Sequence, residues 1–380
     1  MAAAPRSLRR MSVRLGDLVE VLDGLYPPSW AQDWDAVGLV CGDPDALVRR
    51  VLLAVDPVGP VVTEAVDGGF DLLLTHHPLY LRGTTTVAAT TPKGRVVHRL
   101  LSAGSGLFVA HTNADVADPG VSDALAGLLD LSDLRPLQAI ADPLDKLVAM
   151  VPTGGVDRLL DALAAAGAGT VGRYERCAWT TAGTGTFRPL PGASPAVGEV
   201  GRVEQVEETR LEVVLPRTAR RAVLAALHAA HPYEVPAHDL IELVPAPGPR
   251  GLGRVGELPA PVALGELTRR VAAVLPATAW GVRATGDPDR LVRTVAVCGG
   301  SGDSLLGEAA VADAYLTADL RHHPASEAPE SLALLDAAHW ATEWPWLADV
   351  AARLSAATTV DTVVSTRVTD PWTHAAPSPT

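Results

Sequence analysis

Apolar positions along the chain switch between two periods. Residues 14–25 (RLGDLVEVLDGL) carry them at helical spacing and stop at Pro27-Pro28. Short unbroken apolar runs follow at 51–55 (VLLAV), 71–75 (DLLLT) and 107–110 (LFVA), and these read as buried strands. Helical patterns near 61–68, 94–104 and 121–130 separate them, which predicts βα units on a mostly parallel sheet. The alternation returns at 292–298 (VRTVAVC), a helix near 303–312, and a strand at 314–318 (AYLTA).

The second run matches the first in spacing. Val55 to Thr75 and Val297 to Thr317 are both 20 residues, and Asp71 and Asp313 each stand four residues before those threonines. Ala110-His111-x-x-x-Asp115 is echoed by Ala338-His339-x-x-x-Glu343. An Ala-rich chain produces some such matches by coincidence. The set as a whole predicts an internal repeat: an α/β core of two similar halves facing a shared cleft.

Between the halves the order changes. Strand patterns at 146–152, 173–180, 209–216 and 238–244 enclose helices at 156–167 and 217–230, with a Gly/Pro-rich stretch over 183–201. That βαββαβ order is ferredoxin-like. A Pro/Gly linker over 245–251 closes it. The expected organisation is a discontinuous core, 1–138 with 251–380, carrying an inserted ferredoxin-like α+β domain at 139–250. From about 364 the chain turns polar and Pro-containing, and its last residues are expected to fray.

Composition narrows the functional classes. Of 380 residues, 48% are hydrophobic and 20% charged, which suits well-buried globular cores. The formal net charge of −13, with no Lys/Arg run beyond Arg6–Arg14, argues against nucleic acid as the main partner. Cys41, Cys177 and Cys298 are far apart, which argues for a reducing compartment and no disulfide framework. The N-terminus is basic but lacks the apolar stretch of a secretory signal, and Met11 is an alternative start to Met1. No window of about 18 uninterrupted apolar residues predicts a membrane span. The expectation is a soluble, cytoplasmic protein.

Six of the eleven histidines fall in four tight motifs: THH (75–77), HTNAD (111–115), DLRHH (319–323) and HWATE (339–343). THH and HTNAD follow predicted strands, and DLRHH begins where one ends. Ligands of open α/β sheets bind just beyond such carboxyl ends, so motifs distant in sequence can converge. Singly, each motif has a plain structural explanation. His76-His77 could be a surface pair, His339 and Glu343 a solvated helix face, and Asp115 a cap or an Asx turn with Asn113. Together, three histidines and two acids suit Zn, Fe, Mn, Co or Ni, and they supply enough donors for two ions. His76, His77, Asp115, His339 and Glu343 are therefore the candidate ligands, with Asp115 or Glu343 bridging. His111, Asp319, His322 and His323 remain to orient ligands or, for His111 and His323 above all, to act as general acid or base. GGSG at 299–302 reads as a tight turn, with a weak alternative as a phosphate cradle.

Several segments carry a family resemblance: WDAVGLVCGD (34–43), DLLLTHHPL (71–79), AHTNADVADPGVSDAL (110–125), VCGGSG (297–302), DAYLTADLRHHPASEA (313–328) and AHWATE (338–343). In that order they resemble the dinuclear-metal-centre hexameric proteins labelled GTP cyclohydrolase 1 type 2 homologues. The family's metal ligands match His76, His77, Asp115, His339 and Glu343. RYERCAW (173–179), GTGTFRPLPGASPAVGEVG (183–201) and HPYEVPAHD (231–239) resemble the insert of its longer bacterial members, itself similar to trimeric cation-tolerance-type regulatory domains. The resemblance implies a homohexamer with two divalent transition-metal ions per subunit and trimer contacts through the insert. Pro324 departs from the family pattern, which weakens any catalytic role carried over to that position.

Two functional readings compete. In the first, a metal-dependent hydrolase acts on an unidentified small molecule: a nucleotide-like, phosphoester or cyclic amide substrate, with opening of the guanine ring of GTP as the reaction the label suggests. In the second, the metals serve storage, delivery or sensing, or simply hold the two halves together.

Overall fold

The computed structural model describes residues 12–244 and 247–376. The basic N-terminal stretch up to Met11 with its two candidate starts, residues 245 and 246 of the expected linker, and the last four residues lie outside the described residues. The chain divides into two compact units, residues 1–140 with 249–380 and residues 141–248.

The larger unit is an α/β fold of two similar halves. In the first, strands Asp361–Val364, Arg50–Ala54, Leu72–Thr75 and Gly106–Val109 run parallel in that order, and Gly38–Cys41 adds an antiparallel edge. In the second, Leu291–Ser301, Ala314–Ala318 and Ala333–Ala337 form the parallel centre. Val282–Ala284, Gly251–Ala263 and Ser132–Ala139 flank it antiparallel. Parallel strands covered on both faces read as continuous apolar runs, which is why VLLAV and DLLLT show no alternation. Each half follows its third parallel strand with a short helix, Thr112–Asp115 in one and His339–Glu343 in the other.

The helix Leu15–Leu25 turns Leu15, Leu18 and Leu22 to one face, and all three are buried. They join a single apolar cluster that draws on both sheets, through Leu53 and Leu74 on one side and Val295 and Leu316 on the other. Trp346, Leu347, Val350 and Leu354 of the helix Trp346–Ala357 complete it. Each such aliphatic side chain contributes about 1.5–3 kcal/mol. This shared layer fixes the carboxyl ends of both sets of strands. On its outer face the first sheet is covered by helices Gly59–Asp67 and Pro92–Ser102 through Val61, Val62, Val97 and Leu100.

The smaller unit runs Leu144–Pro152, Val156–Ala165, Trp179–Phe187, Glu204–Pro216, Arg220–Ala230 and His238–Glu242. Its strands are antiparallel, with the fourth beside the first, then the third, then the second. That is the ferredoxin-like arrangement. The second strand differs from the sequence expectation: it spans Trp179–Phe187 rather than 173–180 and contains Gly183 and Gly185. It is an edge strand with mostly exposed side chains. Pairing with Glu204–Pro216, from Trp179 opposite Glu212 to Phe187 opposite Glu204, sets its bounds where no buried apolar pattern could. No helix among the described residues is long and apolar enough to cross a membrane.

Candidate metal centre

His76 and His77 directly follow the strand Leu72–Thr75. Their backbone N–H groups extend its ladder, donating to Ala54 and Val55 carbonyls at 3.2 and 2.8 Å. In a continuing strand adjacent side chains would point to opposite faces. Here the chain turns, and the two rings lie 5.2 Å apart, tilted by 40°. His111 precedes the helix Thr112–Asp115, with its ring 5.1 Å from His76 and 5.5 Å from His77. His339 comes from the other half, its ring 5.2 Å from that of His77. Trp346, packed at 5.3 Å from the ring of His76, supplies an apolar floor.

Every one of these four imidazoles is anchored through Nδ1. His76 donates to the Ala110 carbonyl at 2.9 Å, and His77 to Asp56 Oδ1 at 2.7 Å. His111 donates to Asp35 Oδ1 at 2.9 Å, and His339 to Asp319 Oδ2 at 2.7 Å. Each bond places a proton on Nδ1 and turns Nε2 into the cleft, where a metal ion would take the place of any proton that it carries.

The Nε2 atoms converge on carboxylates. Glu343 Oε1 lies 2.9 Å from His339 Nε2 and 3.5 Å from His76 Nε2, and Oε2 lies 3.1 Å from His77 Nε2. The spacing His339-x-x-x-Glu343 places both on one side of a helical turn. Asp115 Oδ1 stands 3.6 Å from His76 Nε2. Asp115 serves no helix cap, since Asp123 accepts the Gly120 N–H at 2.7 Å instead. Two overlapping sets bring their donor atoms within 4.8 Å of one another, His76 with His77 and His111, and His77 with His339 and Glu343.

Burial alone pushes the His77 imidazole down, but Glu343 and Asp56 overcome it and raise its pKa to about 10. His339 rises in the same way, against burial, to about 11 through Glu343 and Asp319. Glu343 is buried, which would raise it, yet the surrounding imidazoles hold it well below the usual carboxylate range. Desolvation raises Asp115. Glu343 thus draws positive charge from every side of the cluster. His76 Nε2 and Glu343 Oε2 are buried and accept or donate no hydrogen bond of good geometry among the described residues. Buried polar atoms without partners are rare and costly. Imidazole nitrogens and carboxylates around such atoms suit transition-metal ions better than Mg or Ca. The residues present fit that use.

The structure therefore brings His76, His77, Asp115, His339 and Glu343 together, and adds His111 to the same cleft. It leaves His323 on the short helix His322–Ser326, exposed, with its ring against that of His322. GGSG at 299–302 is not a separate tight turn: its first three residues end the strand Leu291–Ser301, and Gly302 leads into the short 3-10 helix Asp303–Leu305. Its glycines permit close approach, since a Cβ on Gly300 would overlap Glu343 Oε1. Asp35 and Asp56 escaped the motif reading. Asp35 lies in WDAVGLVCGD, and Asp56 stands just past an apolar run, as His76 does; position at a strand end was the available signal.

A family model described as DUF34/NIF3 (NGG1p interacting factor 3) matches residues 13–371. A Mycobacterium leprae protein named GTP cyclohydrolase 1 type 2 homolog is 55% identical over 371 residues, covering 95% of this chain and 96% of that one. A Streptomyces coelicolor protein of the same name is 44% identical, covering 97% and 96%. The crystal structure of a Bacillus cereus protein related to NIF3 superposes with a TM-score of 0.81 at 32% identity, covering 96% of this chain and 99% of that one. With its two-half α/β core and with relatives this similar along almost its whole length, the chain belongs to the DUF34/NIF3 family.

Proposed function

We propose that this protein is a dinuclear metal-dependent hydrolase acting on a small nucleotide-like, phosphoester or cyclic amide substrate. The observation that carries the proposal is the convergence of Nδ1-anchored imidazoles on Glu343 in an open cleft. His76, His77, Asp115, His339 and Glu343 would hold two divalent transition-metal ions. When bound, such a pair supplies Lewis acidity and lowers the pKa of water near neutrality. The chain's own residues contribute the rest. Asp56 and Asp319 orient His77 and His339, and the Ala110 carbonyl orients His76. His111, held by Asp35, presents Nε2 to a cavity of about 380 Å³ that also includes Asp115 and Glu343, where it can move a proton. The exposed position of His323 leaves the acid–base role to His111.

The name borne by the mycobacterial and streptomycete relatives supports a guanine nucleotide as the first substrate to try. The family resemblance also supports a cytoplasmic homohexamer with trimer contacts through the inserted domain, which light scattering would read as a six-chain mass.

The test joins metal content to turnover. Elemental mass spectrometry on protein purified without chelator is expected to find about two transition-metal ions per chain, with clear loss in His339→Ala and Glu343→Ala. The metal-loaded protein is then assayed on nucleotide, phosphoester and cyclic amide panels. Turnover that survives Glu343→Ala unchanged would reject the proposal.

A further inference from the structure

Two segments of the inserted domain supply none of the candidate metal ligands, GTGTFRPLPGASPAVGEVG (183–201) and HPYEVPAHD (231–239). They meet around a hollow of about 340 Å³, a volume that suits a small molecule. Its apolar walls include Phe187, Pro189, Val197 and Val235, and its polar groups are carried by Glu208, Tyr233 and Glu234. The loop forming one wall is closed at its base, where Gly201 donates to the Pro189 carbonyl at 2.8 Å. Glu234 Oε2 pins it further by accepting the Ser194 N–H at 3.1 Å.

Glu208 stands on the strand Glu204–Pro216, opposite Gly183 of the edge strand. Its Oε1 accepts the Tyr233 hydroxyl at 2.8 Å, and Oε2 has no partner among the described residues. Glu208 is part-exposed rather than enclosed, so Oε2 keeps access to the hollow that the side chain lines. A Cβ on Gly185 would overlap Oε2, so this glycine lets the carboxylate lie across the edge strand. No Lys or Arg lines the hollow. Lys146 and Arg210, on the same sheet, pair with Glu212 instead. His231 adds no charge. Its Nδ1 accepts the Tyr233 N–H at 3.0 Å, Nε2 donates to the Met150 carbonyl at 2.9 Å, and burial holds its pKa below the ordinary value.

Phe187 and Tyr233 form a corner beside this uncompensated carboxylate, with ring centroids 6.0 Å apart and planes 60° from parallel. The His231 ring backs Tyr233 at 5.1 Å. Ring faces attract cations, and an anion in a poorly solvated hollow attracts them more strongly than one in open water. A divalent metal ion of the Mg or Ca type needs about six oxygen ligands, which these apolar walls do not supply. Val235 is 81% exposed and offers surface that the body of an organic cation would cover.

We propose that this hollow binds a small organic ammonium ion, whose N–H donates to Glu208 Oε2 while its apolar body packs on Phe187, Tyr233 and Val235. The site belongs to the inserted domain and stands apart from the hydrolase reading.

Ligand-observed NMR on the full-length protein at neutral pH tests it with phenethylammonium. Two probes share the same body, neutral phenethyl alcohol and anionic phenylacetate. Phenethylammonium is expected to bind at least about tenfold tighter than either, and magnesium at equal ionic strength should not displace it. Glu208→Gln should abolish that preference without lowering the thermal midpoint, while Phe187→Ala should weaken the ammonium and the alcohol alike. Tyr233→Phe keeps the ring and leaves Glu208 in place, so it should retain most of the affinity. Gly185→Ala should weaken the ammonium by pushing the carboxylate aside. Equal affinity for the alcohol, displacement by magnesium, or binding that survives Glu208→Gln unchanged overturns the site. So does a failure of phenethylammonium to bind the assembled protein, the result expected if a second copy of the chain covers the hollow. None of these readouts involves turnover, so loss of the hydrolase reading would leave the site standing.

Discussion

Asp71 and Asp313 perform the same task in the two halves of the core. Asp71 Oδ2 accepts the backbone N–H groups of Arg49 and Arg50 at 2.7 and 2.9 Å. Asp313 Oδ2 accepts those of Arg293 and Thr294, both at 2.9 Å. Each carboxylate ties the entry of one parallel strand to the entry of the next. The strands that end in His76-His77 and in Asp319 are thereby held in register with their neighbours.

Hydrogen bonds to a charged acceptor contribute about 1.5–3 kcal/mol each at most, and solvent access lowers that. Asp71→Ala and Asp313→Ala should therefore each destabilise the protein by about 1–3 kcal/mol, with Asn recovering part. Urea denaturation of the full chain measures this. A matched loss in the two variants is expected from the matched geometry; a loss in one alone would break the equivalence of the halves.

That equivalence was legible in the spacing, because a repeat preserves both strand length and the polar residue that caps it. The convergence of THH, HTNAD and HWATE was legible for a related reason: chemistry at strand ends leaves clusters of His and acid where apolar runs stop. Asp35 and Asp56 were not legible. A single aspartate in a loop resembles a turn residue until a fold places it 2.9 or 2.7 Å from an imidazole. The edge strand Val282–Ala284, the parallel strand Ala333–Ala337 beside it, and the shifted edge strand Trp179–Phe187 were equally hidden. Their bounds follow from pairing partners far along the chain, which override local propensity.

The aspartates that hold the imidazoles give a sharper test of the site than the ligands do. Asp56→Asn and Asp319→Asn leave all candidate ligands in place but remove the charged acceptors from His77 and His339. Metal affinity is expected to fall by about 10–100-fold, as for other partners of metal-bound histidines. Competition with a chromophoric chelator reads this directly. Asp35→Asn should instead spare affinity and lower turnover, because His111 is assigned a proton rather than an ion.

In the inserted domain, buried Asp145 accepts from Arg220 Nε at 2.8 Å and Arg217 Nε at 3.2 Å. The Arg220 hydrogen bond, followed by that of Arg217, holds its carboxyl below the usual value against the effect of burial. A depressed folded pKa means the unfolded chain binds the proton more readily. The stabilisation is then complete above the ordinary Asp value near 3.9 and is lost as pH falls below it. Acid unfolding of the full chain, followed by circular dichroism, should begin at higher pH in Asp145→Asn. An unchanged acid transition would show that the pair contributes nothing.

Gly300 packs directly against two of the candidate ligands, His339 and Glu343. It lies in the strand Leu291–Ser301 with φ of +68°, a backbone region costly for any residue with a Cβ. A Cβ there would also overlap Glu343 Oε1 and stand 3.1 Å from His339 Nε2. Neither group can retreat freely. Glu343 is buried among imidazoles, and His339 is tied to Asp319, itself at φ of +56°. Gly300→Ala should therefore cost more than the ~1 kcal/mol of an ordinary Gly-to-Ala strain and should displace the two donors closest to it. The expected result is a folded protein with a lowered unfolding midpoint and clearly reduced metal content by elemental analysis. Ser301→Ala, one residue on and exposed, serves as the control and should retain both. Full metal loading in Gly300→Ala would mean that His339 and Glu343 are not where the ions bind.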